Sequence, residues 1–331
     1  KSEGVFRESA GFVLDPMLLL HALLFSGVEA SSMPNQPLRQ VLALHGGGSV
    51  VDAATVKSPS DTYHGMAAKG RDNAKMPISK ILHQSIMGGC YVGFGGLLST
   101  VVAGSSPGIA AANPGIQKFI FAALFPVNLL LILMSGGQLF TGNSAAVPAA
   151  FYEGLVTFEE LVKSWGVSYV GNVIGCGLFA FAARYTGILS YGVKDLAVAT
   201  AVKKCSSTFG PTVAKAIMCN WLVCMAVWLA GAANDLTGKM VGIWFPISTF
   251  VAIGLEHSVA NMFLLPLGML GGAKISFFTA IIKNFIPVTI GNAIAGALVV
   301  AAGYSYQFGK LGNNAGQGAS RVPKSMLDMP A

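Results

Sequence analysis

Six long apolar segments, at about 81–103, 119–151, 165–183, 213–232, 241–270 and 275–304, leave this chain few ways to fold. A helix crosses a bilayer with about 20 apolar residues, and each segment is of that length or longer. Between them they hold a single acid, Glu256. Only 11% of the 331 residues are charged, against about 25% in a soluble domain, so charge cannot coat a soluble surface of this size. An apolar content of 53% excludes disorder for the bulk of the chain, and with it a small disulfide-stapled scaffold. What is left is an all-α, polytopic membrane protein. The 41 glycines fit that class, because small residues let membrane helices approach closely.

The net charge of +7 sits at the ends. Eight of the 21 basic residues lie in the first 80 positions and three from Lys310 onward. By the positive-inside rule both ends are expected on one side, which an even number of spans provides. No basic stripe with interleaved aromatics is present, so lipid rather than nucleic acid is the expected partner. The five cysteines, Cys90, Cys176, Cys205, Cys219 and Cys224, are odd in number and four lie in or beside apolar stretches. Free buried thiols are expected, not a disulfide framework.

Residues 1–57 differ from the rest in their Ser, Gly and charge content. Their one apolar run, at 17–25, is too short to span, so a poorly ordered or targeting segment is expected there. A transmembrane transporter domain is expected over 58–310 and a polar tail over 311–331. Ser58-Pro59-Ser60-Asp61 reads as a helix start, with proline in the first turn and an acid near the positive dipole end. The amphipathic stretch from there to Lys75 is expected on the membrane surface. The linker 184–210 is the one long connection.

Segments two and five are too long for one clean span, and each is interrupted at its middle, at Ser135-Gly136-Gly137-Gln138 and at Gly254-Leu255-Glu256-His257. Irregular backbone at membrane depth is tolerated only where protein or a watery cavity satisfies it, and paired broken helices mark transport sites. Residues 161–175 align without gaps on 281–295, matching Lys163 to Lys283, Gly171 to Gly291 and Asn172 to Asn292; a weaker echo pairs Ile86-Met87 with Ile217-Met218. Three spans followed by three related spans must run in opposite orientation. The expected architecture is therefore an inverted 3+3 repeat with broken helices 2 and 5.

Glu256 and His257 form the only adjacent ionisable pair inside an apolar segment. An ionisable group at membrane depth costs about 2.5–3.5 kcal/mol on insertion scales, which makes the pair a functional candidate. The plainer alternative is a core histidine satisfied by Ser or Asn. Thr141, Asn143, Asn261 and Asn292 offer hydrogen bonds at the breaks and on the repeat helix, where exposed helix N-termini attract anions; each also suits simple helix packing. No enzyme is indicated. Gly104-Ser105-Ser106-Pro107-Gly108 spells Gly-x-Ser-x-Gly but follows an apolar span rather than a strand, and His45-Gly46-Gly47-Gly48 only faintly suggests an oxyanion loop. No metal-ligand pair or nucleotide fingerprint occurs, so neither a metal nor a cofactor is expected. The absence of an Asn-Pro-Ala pair weighs against a neutral-solute pore.

Four motifs together resemble the formate/nitrite transporter family: Leu139-Phe140-Thr141-Gly142-Asn143, the run from Gly254 through Glu256-His257-Ser258 to Phe263, the run from Asn284 to Gly291-Asn292, and Cys219-Asn220-Trp221-Leu222-Val223-Cys224. The likeness covers about 58–310 and is greatest to the plastid branch of algae. It implies an aquaporin-like six-helix fold, a homopentamer with one pore per subunit, and small monovalent anions of weak acids (nitrite, formate, bicarbonate) as substrates. The plastid envelope is the implied location, the plasma membrane the alternative. Thr141, His257 and Asn292 would form a central hydrogen-bonded set. Phe125 with Leu129 would form one constriction, on the cytoplasmic side, and Phe250 with Val223 the other; Lys204 would draw anions into a vestibule, and Asn220 would sit near the second constriction. His257 would hydrogen-bond or protonate the anion, and Glu256 would set the histidine's charge or orient the backbone. A bicarbonate channel without proton transfer would use the same residues. One departure is visible: Gln138 stands where many members carry an acid, which bears on how that helix end is anchored.

Overall fold

A computed structural model describes residues 56–315. Apart from 56–57 and 311–315, the segments 1–57 and 311–331 lie outside the described residues. The chain opens with α1 (Pro59–Lys75), which starts as its sequence dictates: the Ser58 hydroxyl accepts from the Asp61 backbone N–H at 3.1 Å and Pro59 occupies the first turn. Its inward face, Tyr63, Met66, Ala67, Gly70 and Ala74, recurs every three or four residues and is buried against neighbouring helices.

Then follow α2 (Ile78–Gly104), the short α3 (Pro107–Ala112), α4 (Pro114–Ser135), α5 (Phe140–Tyr152) and α6 (Phe158–Tyr185). The second half repeats the pattern with α7 (Tyr191–Lys204), α8 (Phe209–Ala232), α9 (Leu236–Ile253), α10 (Ser258–Leu270) and α11 (Phe277–Phe308), after which comes α12 (Lys310–Ala315). Six of these, α2, α4, α6, α8, α9 and α11, are long and apolar enough to cross a membrane. Segments two and five are each divided, α4 from α5 and α9 from α10. Among the described residues the only β feature is an isolated bridge between Val56 and Ala233.

The connection 184–210 is not a plain loop, because 14 of its residues form α7. Val193, Ala197 and Ala201 make a narrow buried stripe, and small side chains bring that helix against the backbone at Gly104 and Gly268. A stripe of alanines flanked by Lys194, Asp195, Lys203 and Lys204 carries too little apolar contrast to announce a helix. Wide turns at Ile281–Phe285 and Ala295–Ala302 interrupt α11. The first precedes Pro287, which has no N–H to return to the preceding turn.

The halves correspond at paired glycines and prolines. Gly136 and Gly254 end α4 and α9 in the same left-handed conformation, φ 79° and 78°, which costs an L side chain about 1–2 kcal/mol. Pro148 and Pro266 sit inside the two half-helices. Gly171 and Gly291 mark two tight crossings: a Cβ on the first would meet the Ser85 Cβ at 2.5 Å, and on the second the Ala216 Cβ at 2.6 Å. All five cysteines are free, and Cys176, Cys219 and Cys224 are buried.

Candidate functional site

Each break leaves backbone groups that lipid cannot satisfy, and one asparagine serves each. Asn172 accepts from the Phe140 N–H at 2.9 Å and donates to the carbonyls of Ser85 (2.8 Å) and Gln138 (2.9 Å). Asn292 accepts from the Ser258 N–H at 2.8 Å and donates to the carbonyls of Ala216 (2.8 Å) and Glu256 (3.1 Å). A planar amide matches this task because it offers one acceptor and two diverging donors. Asn292 therefore grips the backbone on both flanks of His257 and does not hydrogen-bond the ring. The expected central set of three reduces to a direct pair, Thr141 and His257, with Asn292 holding the frame. Asn220 also serves the frame, donating to Ser144 Oγ (2.8 Å) and to the Asn292 carbonyl (2.7 Å).

His257 caps α10. Its Nδ1 accepts the Ala260 N–H at 3.1 Å, and its Nε2 stands 3.0 Å from Thr141 Oγ1. A backbone N–H only donates, so Nδ1 carries no proton and the neutral ring bears its hydrogen on Nε2. That hydrogen points to Thr141, whose own hydroxyl hydrogen has no acceptor among the described residues. Glu256, the adjacent residue, turns away from the ring. Its Oε2 receives Lys204 Nζ (3.1 Å), Asn261 Nδ2 (2.7 Å) and Asn284 Nδ2 (3.2 Å). At the other break Gln138 takes the equivalent place with neutral partners: it donates to Gln84 Oε1 (2.7 Å) and accepts from Asn143 (2.9 Å). The helix end is thus anchored without the acid.

The four constriction residues come together, but not in the expected pairs. Phe125 meets Phe250 edge-on with ring centroids 6.2 Å apart, and Phe250 lies 5.6 Å from the His257 ring. Phe125, Leu129, Val223 and Phe250 all line one cavity of ≈ 10 Å³ with His257. In the repeat, α4 and α9 are mates that pack together, so an aromatic on one faces an aromatic on the other. Beyond the two phenylalanines opens a vestibule of ≈ 500 Å³. Lys118, Lys203, Lys204 and Lys215 line it with Glu256, and it reaches His257. Four cations against one carboxylate favour anion entry.

Sequence reasoning missed Asn128, which is 4% exposed and lines the small cavity. Its signal was available: it is the only polar side chain between Phe119 and Met134. The three added vestibule lysines were missed for another reason, since they come from different elements and meet only on folding.

Comparison with known proteins covers most of the described residues. The family model for formate/nitrite transporters matches residues 60–306. A probable formate transporter of Methanothermobacter thermautotrophicus is 41% identical over 77% of this chain and 98% of its own length. The formate channel BtFdhC of Bacillus thuringiensis is 35% identical over 71% of this chain and 89% of its own. Among solved structures, an FNT family ion channel superposes with a TM-score of 0.68 at 27% identity, covering 75% of this chain and 98% of that one. A pentameric formate channel with formate bound superposes with a TM-score of 0.62 at 29% identity, covering 70% and 98%.

Proposed function

The chain belongs to the formate/nitrite transporter family, and on that premise we propose that it conducts nitrite, formate or bicarbonate through one pore in each subunit of a homopentamer. It is a multi-pass integral membrane protein of an anion channel and transporter family, not an enzyme. The pentamer is carried over from the formate channel it superposes on. The plastid envelope is the proposed location, on the likeness of its motifs to the algal plastid branch.

One observation carries the mechanism: the Ala260 N–H occupies His257 Nδ1 and leaves Nε2–H as a donor beside Thr141. A bare anion loses several kcal/mol of solvation on entering low dielectric. Protonating an acid of pKa about 4 at pH 7 costs about 4 kcal/mol. The two are comparable, so either form can cross. The vestibule lysines concentrate the anion; Phe125 and Phe250 part; His257 and Thr141 replace lost water hydrogen bonds at the narrowest point. For His257 to give up a proton it would first have to be protonated at Nδ1, against the Ala260 N–H. The geometry therefore supports His257 as a hydrogen-bond donor, with any proton that crosses arriving on the substrate.

Flux into proteoliposomes tests this. Uptake of nitrite, formate and bicarbonate should saturate, and H257F should lower it at least tenfold. Full uptake in H257F would refute the assigned role. A pH gradient that accelerates uptake, together with stoichiometric proton movement, would identify the protonated acid as the species that crosses.

A further inference from the structure

Asn128 lines the small cavity, and its amide nitrogen has nothing to donate to. Asn128 Nδ2 is buried and has no partner, although buried amides in folded proteins nearly always find one. Its placement follows from the helix. Phe125, Asn128, Leu129 and Ile132 share the inward face of α4 at i, i+3, i+4 and i+7, and all four are buried. Opposite lies Gly95, where a Cβ would come within 2.8 Å of the Asn128 Cβ and 3.0 Å of Nδ2; the missing side chain gives the amide its room. His257 lines the same cavity.

We infer that Asn128 is a substrate-contacting residue, whose amide hydrogens bind one oxygen of a two- or three-oxygen anion while His257 binds another. An anion passing the apolar ring sheds water on all sides, and a donor on one wall replaces only part of that shell. Oxyanions present acceptors at separated atoms, so donors from two walls hold them better than one. An unpaired buried amide costs stability, which makes sense where a transient solute is the partner. A purely structural asparagine would spend its donors on neighbouring protein groups, as Asn172 and Asn292 do on backbone carbonyls and Asn220 on a carbonyl and the Ser144 hydroxyl.

The inference rests on the anion-conducting reading, and full-length protein in liposomes separates the two. Wild-type and N128L proteins are compared for formate uptake at pH 7.5, thermal stability and oligomeric state. Expected is a fall in uptake of about 10- to 100-fold, the value of a lost hydrogen bond to a charged group, with stability unchanged or raised. N128D should conduct even less at pH 7.5 and recover, relative to wild type, as acidification makes its carboxyl a donor. Wild-type uptake in N128L overturns the inference, and so does a loss of uptake accompanied by lower stability or a broken oligomer. Absence of saturable uptake in the wild type overturns the anion-conducting reading and this inference with it.

Discussion

At the scale of single residues, the same chemical group does opposite jobs depending on what it faces. Asn172 and Asn292 each satisfy three backbone groups, and replacing either by leucine strands all three at membrane depth. At about 1–3 kcal/mol for each unpaired group, N292L should lose several kcal/mol of stability, seen as a large fall in unfolding temperature in detergent. Thr141 accepts the His257 hydrogen while its own hydroxyl stays available, so T141V should cut formate uptake about tenfold and T141S should retain most of it. An unchanged rate in T141V would contradict the paired donor arrangement. Sequence marked Asn172 and Asn292 through the repeat but assigned Asn292 to the solute. In an apolar helix an asparagine announces only that something polar is near; whether that partner is backbone or a passing ion depends on which way the helix turns. Asn128 stood out as a lone polar side chain in its apolar run, but the sequence did not show that its amide nitrogen would lack a partner.

Among elements, the two breaks show how one backbone design tolerates different chemistry. Gly136 and Gly254 close α4 and α9 with positive φ, and alanine at either should cost about 1–2 kcal/mol, measurable as a lowered unfolding temperature with uptake kinetics otherwise preserved. Glu256 is held by Lys204 together with two amides, whereas Gln138 is held by amides alone. Removing Lys204 as K204M leaves a buried carboxylate with no cation and only the amides of Asn261 and Asn284, a loss of up to about 3–5 kcal/mol, and the double variant K204M/E256Q should recover most of that stability while uptake still requires more substrate to saturate. Both breaks were legible in the sequence, because overlong apolar segments with polar centres have few other readings. Helix α7 was not, because its packing face is built from alanine and valine rather than from large apolar residues. The wide turns of α11 left only Pro287 as a trace.

Over the whole molecule, the outer surface and the ends remain to be accounted for. Phe94, Phe181, Phe245, Phe277 and Phe278 are exposed on the isolated chain, which lipid and neighbouring subunits would cover; native mass spectrometry in mild detergent should give five chains per particle. The ends of the described region are fastened together at Glu153, which accepts from Tyr63 Oη (2.7 Å), Ser305 Oγ (2.9 Å) and the Lys310 N–H (3.1 Å). Burial pushes the Tyr63 hydroxyl above its ordinary range and keeps it a donor. Glu153 also closes α5 through its backbone N–H, which donates to the Ala149 carbonyl at 3.1 Å, and the other end of that helix carries Thr141. The six-span plan and inverted repeat followed from apolar length and self-similarity, but this clasp joins positions too far apart in the chain for any local pattern to reveal. The narrow cavity has a consequence for the membrane as well as for the solute. A space of ≈ 10 Å³ has room for about one water, so no file of waters fits at that point. Between one passage and the next, such a bottleneck would hold back hopping protons as well as solute, and with them the membrane's electrochemical battery.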